Sequence, residues 1–82
     1  MRILITGAAG QIGSGLSKLL IENGHDLILC DNLRNGYLEN LKDNANEVIA
    51  PFHEVDITSQ EFFEKCGGEY DVIIHLLSLI HI

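Results

Sequence analysis

Four glycines fall within nine residues, at Gly7, Gly10, Gly13 and Gly15, directly after the apolar run Arg2 to Thr6. Glycine is expensive to order, so a cluster marks a place where the backbone must turn sharply or let something approach. The run before it is short and rich in Ile and Leu, and it fits a strand buried on both faces. Beyond it, Ile12, Leu16, Leu19 and Leu20 recur at helical spacing from Gln11 onward, until Asn23-Gly24 supplies a stop. The glycines therefore occupy a strand-to-helix turn, where the unpaired N–H groups and partial positive charge of a helix start are offered to an anion. A diphosphate suits that place. Gly7 would permit the tight turn, Gly10 would let the backbone approach the pyrophosphate, and Gly13 would let helix and strand pack closely. The spacing is Gly-x-x-Gly-x-x-Gly, which departs from the common Gly-x-Gly-x-x-Gly fingerprint. A P-loop fails because Leu16 stands where a phosphate-binding lysine would be required.

The second chemical residue is Asp31, which closes the apolar stretch His25 to Asp31 about 20 residues past the glycines. A carboxylate there can accept hydrogen bonds from the ribose hydroxyls of an adenine dinucleotide. Its charge opposes a 2′-phosphate, so NAD is favoured over NADP, although Arg34 offsets part of that charge. The remaining titratable groups form no comparable constellation. His25, His53, His75 and His81 have no metal-ligand spacing with Cys30 or Cys66, and the two cysteines read as buried thiols. Phe52, Phe62 and Phe63 read as core. Glu61, Glu64 and Glu69 read as a solvated helix face and loop.

The elements that must position Gly7 to Gly13 and Asp31 follow from the alternation of hydrophobic periods. After the first strand and helix come a strand over His25 to Asp31 and a turn-rich segment with a short helix near Tyr37 to Leu41. A third strand lies within Glu47 to Asp56, where Pro51 argues for an edge. Thr58 and Glu61 form a capping box for a helix to about Cys66, ended by Gly67-Gly68, and Tyr70 to Leu77 is a fourth strand. Alternating strands and helices imply an α/β fold, the first half of a doubly wound parallel sheet. At 82 residues the chain is at most one small domain with a thin core, and 46% hydrophobic content is that of a globular chain. A net charge of -7 without a Lys/Arg cluster argues against nucleic acid and anionic membranes as partners. With no signal-peptide pattern and no run long enough to span a bilayer, a cytoplasmic location is expected.

With these residues in place, the chain resembles the NAD-dependent epimerases and dehydratases of nucleotide sugars, the extended branch of the short-chain dehydrogenase/reductase family. The segments "ITGAAGQIGSGL", "LCDNLRNG", "VDIT" and "DVIIHL" resemble, in order, its glycine signature and its second, third and fourth strand ends. The resemblance implies the N-terminal half of a Rossmann domain, about four strands in the order 3-2-1-4, over the whole of residues 1–82. It also implies Gly7, Gly10, Gln11, Ile12 and Gly13 at the pyrophosphate and Asp31, Asn32, Asn35 and Gly36 around the adenosine ribose. Asp56 and Ile57 would lie at the adenine, and Leu76 beside the cofactor.

Two departures stand out. The family follows its fourth-strand His-Leu with Ala-Ala, where this chain reads Leu77-Ser78. The string Ser-Leu-Ile-His-Ile also resembles translated adapter sequence, so residues 78–82 are expected to be non-native. The family's catalytic Tyr-x-x-x-Lys pair lies downstream, and no such spacing occurs here, since Tyr37 is followed by Lys42, one residue too late. No catalytic residue is therefore assigned. The chain is expected to carry the cofactor half of an enzyme whose longer form takes a nucleotide sugar; the alternative is a non-catalytic dinucleotide-sensing or protein-interaction module. Strands one and four lacking later neighbours, self-association is expected.

Overall fold

In chain order, β1 (Arg2–Thr6), α1 (Gln11–Glu22), β2 (Asp26–Asp31), a 3₁₀ turn (Leu38–Leu41), β3 (Phe52–Glu54), α2 (Gln60–Cys66) and β4 (Val72–His75) make up the computed structural model. It describes residues 1–33, 36–56 and 58–76, and the expectations for Arg34, Asn35, Ile57, Leu77 and residues 78–82 fall outside them. The strands form one parallel sheet in the order β3-β2-β1-β4, with β1 paired to β2 from Arg2↔Asp26 to Thr6↔Cys30 and to β4 from Ile3↔Val72 to Thr6↔His75. β3 lies at one edge, as Pro51 suggested, and Pro51 contributes its carbonyl to the ladder by accepting from the Leu29 N–H at 2.9 Å.

Strand alternation sends side chains to two covered faces. Ile3, Ile5, Leu27 and Leu29 pack with Leu20 and Ile21 of α1 and with Leu41 of the 3₁₀ turn. Leu4 and Cys30 pack with Val55 and with Phe62 and Cys66 of α2. Each wholly buried Leu or Ile contributes about 1.5–3 kcal/mol, and β1 and β2 hold most of them. Cys30 and Cys66, distant in sequence, meet in the second cluster as free, buried thiols. Among the described residues, no helix is long and apolar enough to cross a membrane.

Three expectations need correction. The inner face of α1 is only partly the Ile12, Leu16, Leu19, Leu20 stripe: Leu20 packs on the core, but Ile12 and Leu19 are 79% and 54% exposed, while Gly13, Ser14 and Ser17 are buried. Small residues win because the helix start lies against the glycine turn, where Gly13 touches the backbone of Gly7 and Ala8. The cap of α2 is Ser59, whose Oγ accepts from the Phe62 N–H, whereas Thr58 is drawn away to Asp56. Finally, β1 does not lack neighbours, being central with a partner on either side; the edges of the sheet are β3 and β4.

Candidate functional site

The turn between β1 and α1 shows why its glycines are there. Gly7 adopts φ 71°, a left-handed conformation that disfavours side chains, and a Cβ on it would collide with the carbonyl of Leu76. A Cβ on Gly13 would collide with the Gly7 carbonyl and with Ala8. Gly10 differs: its Cβ would meet only the Gly7 oxygen, at 3.6 Å, so the space over it is open on the protein side. Gly15 has nothing within 4 Å and carries no steric requirement. Of the Gly-x-x-Gly-x-x-Gly positions, Gly7 and Gly13 are thus closed by protein and Gly10 faces outward.

The helix behind it is left receptive. Gly10 is the N-cap of α1 in extended conformation, no side chain caps the helix, and its first turn holds no carboxylate. The Ser14 N–H donates to the Gly10 carbonyl at 2.8 Å, closing the first turn. Gln11 and Ile12, both exposed, present the N–H groups ahead of it. The first turn of the helix itself thus contributes no acid to offset the partial positive charge at this end.

Asp31 stands at the end of β2, only 6% exposed, and is already engaged. Its Oδ2 accepts from the Ala9 N–H and its Oδ1 from the Leu33 N–H, each at 2.9 Å. The second bond accompanies φ 61° at Leu33, a strained conformation for leucine. Carboxylate oxygens have further lone pairs, so Asp31 can hold the turn and still accept from a ribose hydroxyl. Asn32 is exposed next to it. Gly36 has a different role from contact with ribose alone: it lies on the glycine turn, where a Cβ would come within 2.6 Å of the Ala9 carbonyl and 2.8 Å of the Gly10 nitrogen.

Asp56 is exposed beyond β3, and its Oδ1 accepts from the Thr58 N–H at 2.9 Å and hydroxyl at 2.7 Å. It follows Val55, whose N–H donates to the Asp31 carbonyl at 3.0 Å, so Asp56 borders the same strand ends. Leu76 is half-buried against the turn, donating its N–H to the Thr6 carbonyl at 3.1 Å. The carboxyl ends of β1, β2 and β4 thus bring together Gly7, Gly10, Gly13, Asp31, Gly36 and Leu76, where open α/β sheets bind ligands. Sequence reasoning missed Ala9 and Asn40, which hold the turn from within and from the 3₁₀ segment. The Asn40 Nδ2 donates to the Ala9 carbonyl at 2.9 Å. Nothing in a contact spanning 31 residues to a backbone oxygen announces itself in sequence.

Burial, followed by the neighbouring Cys66 and by Asp31, pushes the Cys30 thiol up to about 12, and burial likewise raises Cys66 and Tyr70. Thiols so shifted are not thiolates at neutral pH. Among the described residues, no group of three or more His, Cys, Asp or Glu is placed to hold a metal ion.

Sheet order, helix placement and the glycine turn define the N-terminal half of a Rossmann-type nucleotide-binding domain. Residues 3–82 match the family model of the NAD dependent epimerase/dehydratase family, and the chain belongs to that family. It is 36% identical over 80 residues to a putative UDP-glucose 4-epimerase of Methanocaldococcus jannaschii, covering 98% of this chain and 25% of that protein. Its structure is similar to that of UDP-glucose 4-epimerase from Thermotoga maritima, solved with UDP-glucose (TM-score 0.75, 42% identity, 94% of this chain and 24% of that one). It is also similar to the UDP-glucose 4-epimerase of Thermus thermophilus in complex with NAD (TM-score 0.77, 32% identity, 96% of this chain and 24% of that one). The chain spans about a quarter of the length of the curated relatives it matches.

Proposed function

We propose that this chain is the NAD-holding part of a nucleotide-sugar epimerase or dehydratase. The observation that carries the reading is the start of α1 at Gly10, where no side chain caps the helix, the first turn holds no carboxylate, and a Cβ would meet nothing nearer than the Gly7 oxygen at 3.6 Å. Gln11, Ile12 and Gly13 would offer N–H groups to a diphosphate lying over Gly10, whose own N–H donates to the Gly7 carbonyl, and Asp31 would accept from the adenosine ribose while its charge would disfavour a 2′-phosphate. Asn32, Gly36, Asp56 and Leu76 complete the expected cofactor contacts, with Asn35 and Ile57 by resemblance. A nicotinamide bound here would supply a hydride acceptor and donor. A Tyr-x-x-x-Lys pair to move the sugar proton does not occur in these 82 residues, so binding without turnover of a UDP-, dTDP- or GDP-sugar is the expected behaviour of the chain itself.

Calorimetric titration with NAD tests the reading. The parent chain should bind, and Gly10→Val should abolish binding by filling the open space over the turn. Binding that is equally strong in Gly10→Val would remove the turn from the site, and no binding by the parent would sink the reading.

A further inference from the structure

The peptide before Gly10 is gripped from both sides. Ala9 is wholly buried; its N–H donates to Asp31 Oδ2 at 2.9 Å. Its carbonyl accepts from the Tyr37 N–H at 3.1 Å and from the Asn40 carboxamide at 2.9 Å. Two donors saturate the lone pairs of that oxygen. Because Ala9 immediately precedes the N-cap of α1, the plane of its peptide sets the direction in which the first N–H groups of the helix point. The 3₁₀ segment lies close enough for this control, since Gly36 touches the backbone of both Ala9 and Gly10. Of the two side chains that hold Ala9, Asp31 is already given a cofactor contact, whereas Asn40 has no role in the binding reading.

We propose that Asn40 is a positioning residue for dinucleotide binding. Its carboxamide holds the Ala9 carbonyl so that the N–H groups from Gln11 to Gly13 converge on the diphosphate, the Gly10 N–H being given to the Gly7 carbonyl at 3.4 Å. The inference rests on the NAD reading above and adds to it a residue that acts through Ala9. It makes the segment Gly36 to Leu41 a brace for the phosphate turn. Loss of the carboxamide donor leaves the Tyr37 N–H as the remaining donor to the carbonyl, and the peptide plane is held less tightly while Asp31 still holds the Ala9 N–H.

Two near-isosteric or smaller variants, N40D and N40A, test this in the full chain by two independent measurements. N40D sets an acceptor against the Ala9 carbonyl in place of a donor, and N40A removes the donor outright. Amide hydrogen exchange without nucleotide should accelerate about tenfold at Ala9, Gly10 and Ser14 in both variants, with the Ile5 and Leu29 amides unchanged. NAD affinity should fall by a similar factor. Unchanged exchange at the turn, or acceleration spread equally over β1 and β2, overturns the proposal, because the latter is plain destabilisation. Equal NAD affinity in parent and variants overturns the role of Asn40 alone, whereas a parent that does not bind NAD overturns the functional reading and, with it, this role.

Discussion

At Asp31 one side chain serves two ends, and the two can be separated by substitution. Its carboxylate fixes the glycine turn through the Ala9 N–H and, on the proposed reading, would oppose a 2′-phosphate. Asp31→Ala removes both functions, so NAD affinity should fall by roughly tenfold or more, the scale of a lost charge-assisted hydrogen bond. Asp31→Asn loses the charge and keeps one acceptor oxygen, enough for the Ala9 N–H or the Leu33 N–H but not both, and the affinity ratio of NADP to NAD should rise. Titration of both variants with both cofactors checks this; a ratio unmoved in Asp31→Asn would remove the charge argument while leaving the tether intact. Gly7 and Gly13 answer to a different cause. Gly13→Ala should destabilise the fold itself, by about 1–3 kcal/mol on the scale of overpacking, since the added methyl meets backbone rather than ligand space.

Among the elements, α2 offers a clean test of where a helix begins. Ser59 accepts from the Phe62 N–H, while Thr58 is committed to Asp56. Ser59→Ala should therefore cost about 1 kcal/mol in urea denaturation through loss of the cap, and Thr58→Ala should leave the helix intact. The reverse order would restore the capping box read from Thr58 and Glu61. That misreading has a physical origin: Asp56, Thr58 and Ser59 are all residues that can cap a helix, and spacing alone does not show that Thr58 is bound to Asp56 while Ser59 takes the Phe62 N–H. β1, β2 and the glycine turn were legible because hydrophobic period and glycine position both report on backbone geometry. The inner face of α1 was not, because Gly13 and Ser17 contribute by being small and leave no hydropathic trace. Asn40 was hidden for a third reason, since its partner is a backbone carbonyl on a distant segment. In the site, the residues whose steric demand is local could be read from the sequence, and those that act by tertiary hydrogen bonding could not.

For the whole molecule, two properties follow from what the sheet covers and what it leaves open. Val72 and Ile73 of the edge strand β4 are 37% and 61% exposed, and Ile73 borders a groove of about 490 Å³ with Leu4, Phe62 and Tyr70. An open strand edge beside apolar surface favours self-association, so light scattering should show concentration-dependent growth that Ile73→Lys suppresses; a parent chain monomeric at all concentrations would contradict this. The second property concerns alkali. The Cys30 thiol titrates near 9.0 when unfolded and at about 12 when folded, burial being the main cause. Between those values the unfolded chain has released the proton and the folded chain has kept it. The contribution is therefore complete below pH 9 and is lost progressively as pH rises toward 12, with a limiting slope of about 1.4 kcal/mol per pH unit. The raised Cys66 and Tyr70 act in the same direction and would leave a residual slope. Cys30→Val, similar in volume, should flatten the fall in denaturation midpoint from about pH 8.5 to about pH 11 under reducing conditions. An identical fall in parent and variant would show that the buried thiol does not govern alkaline stability.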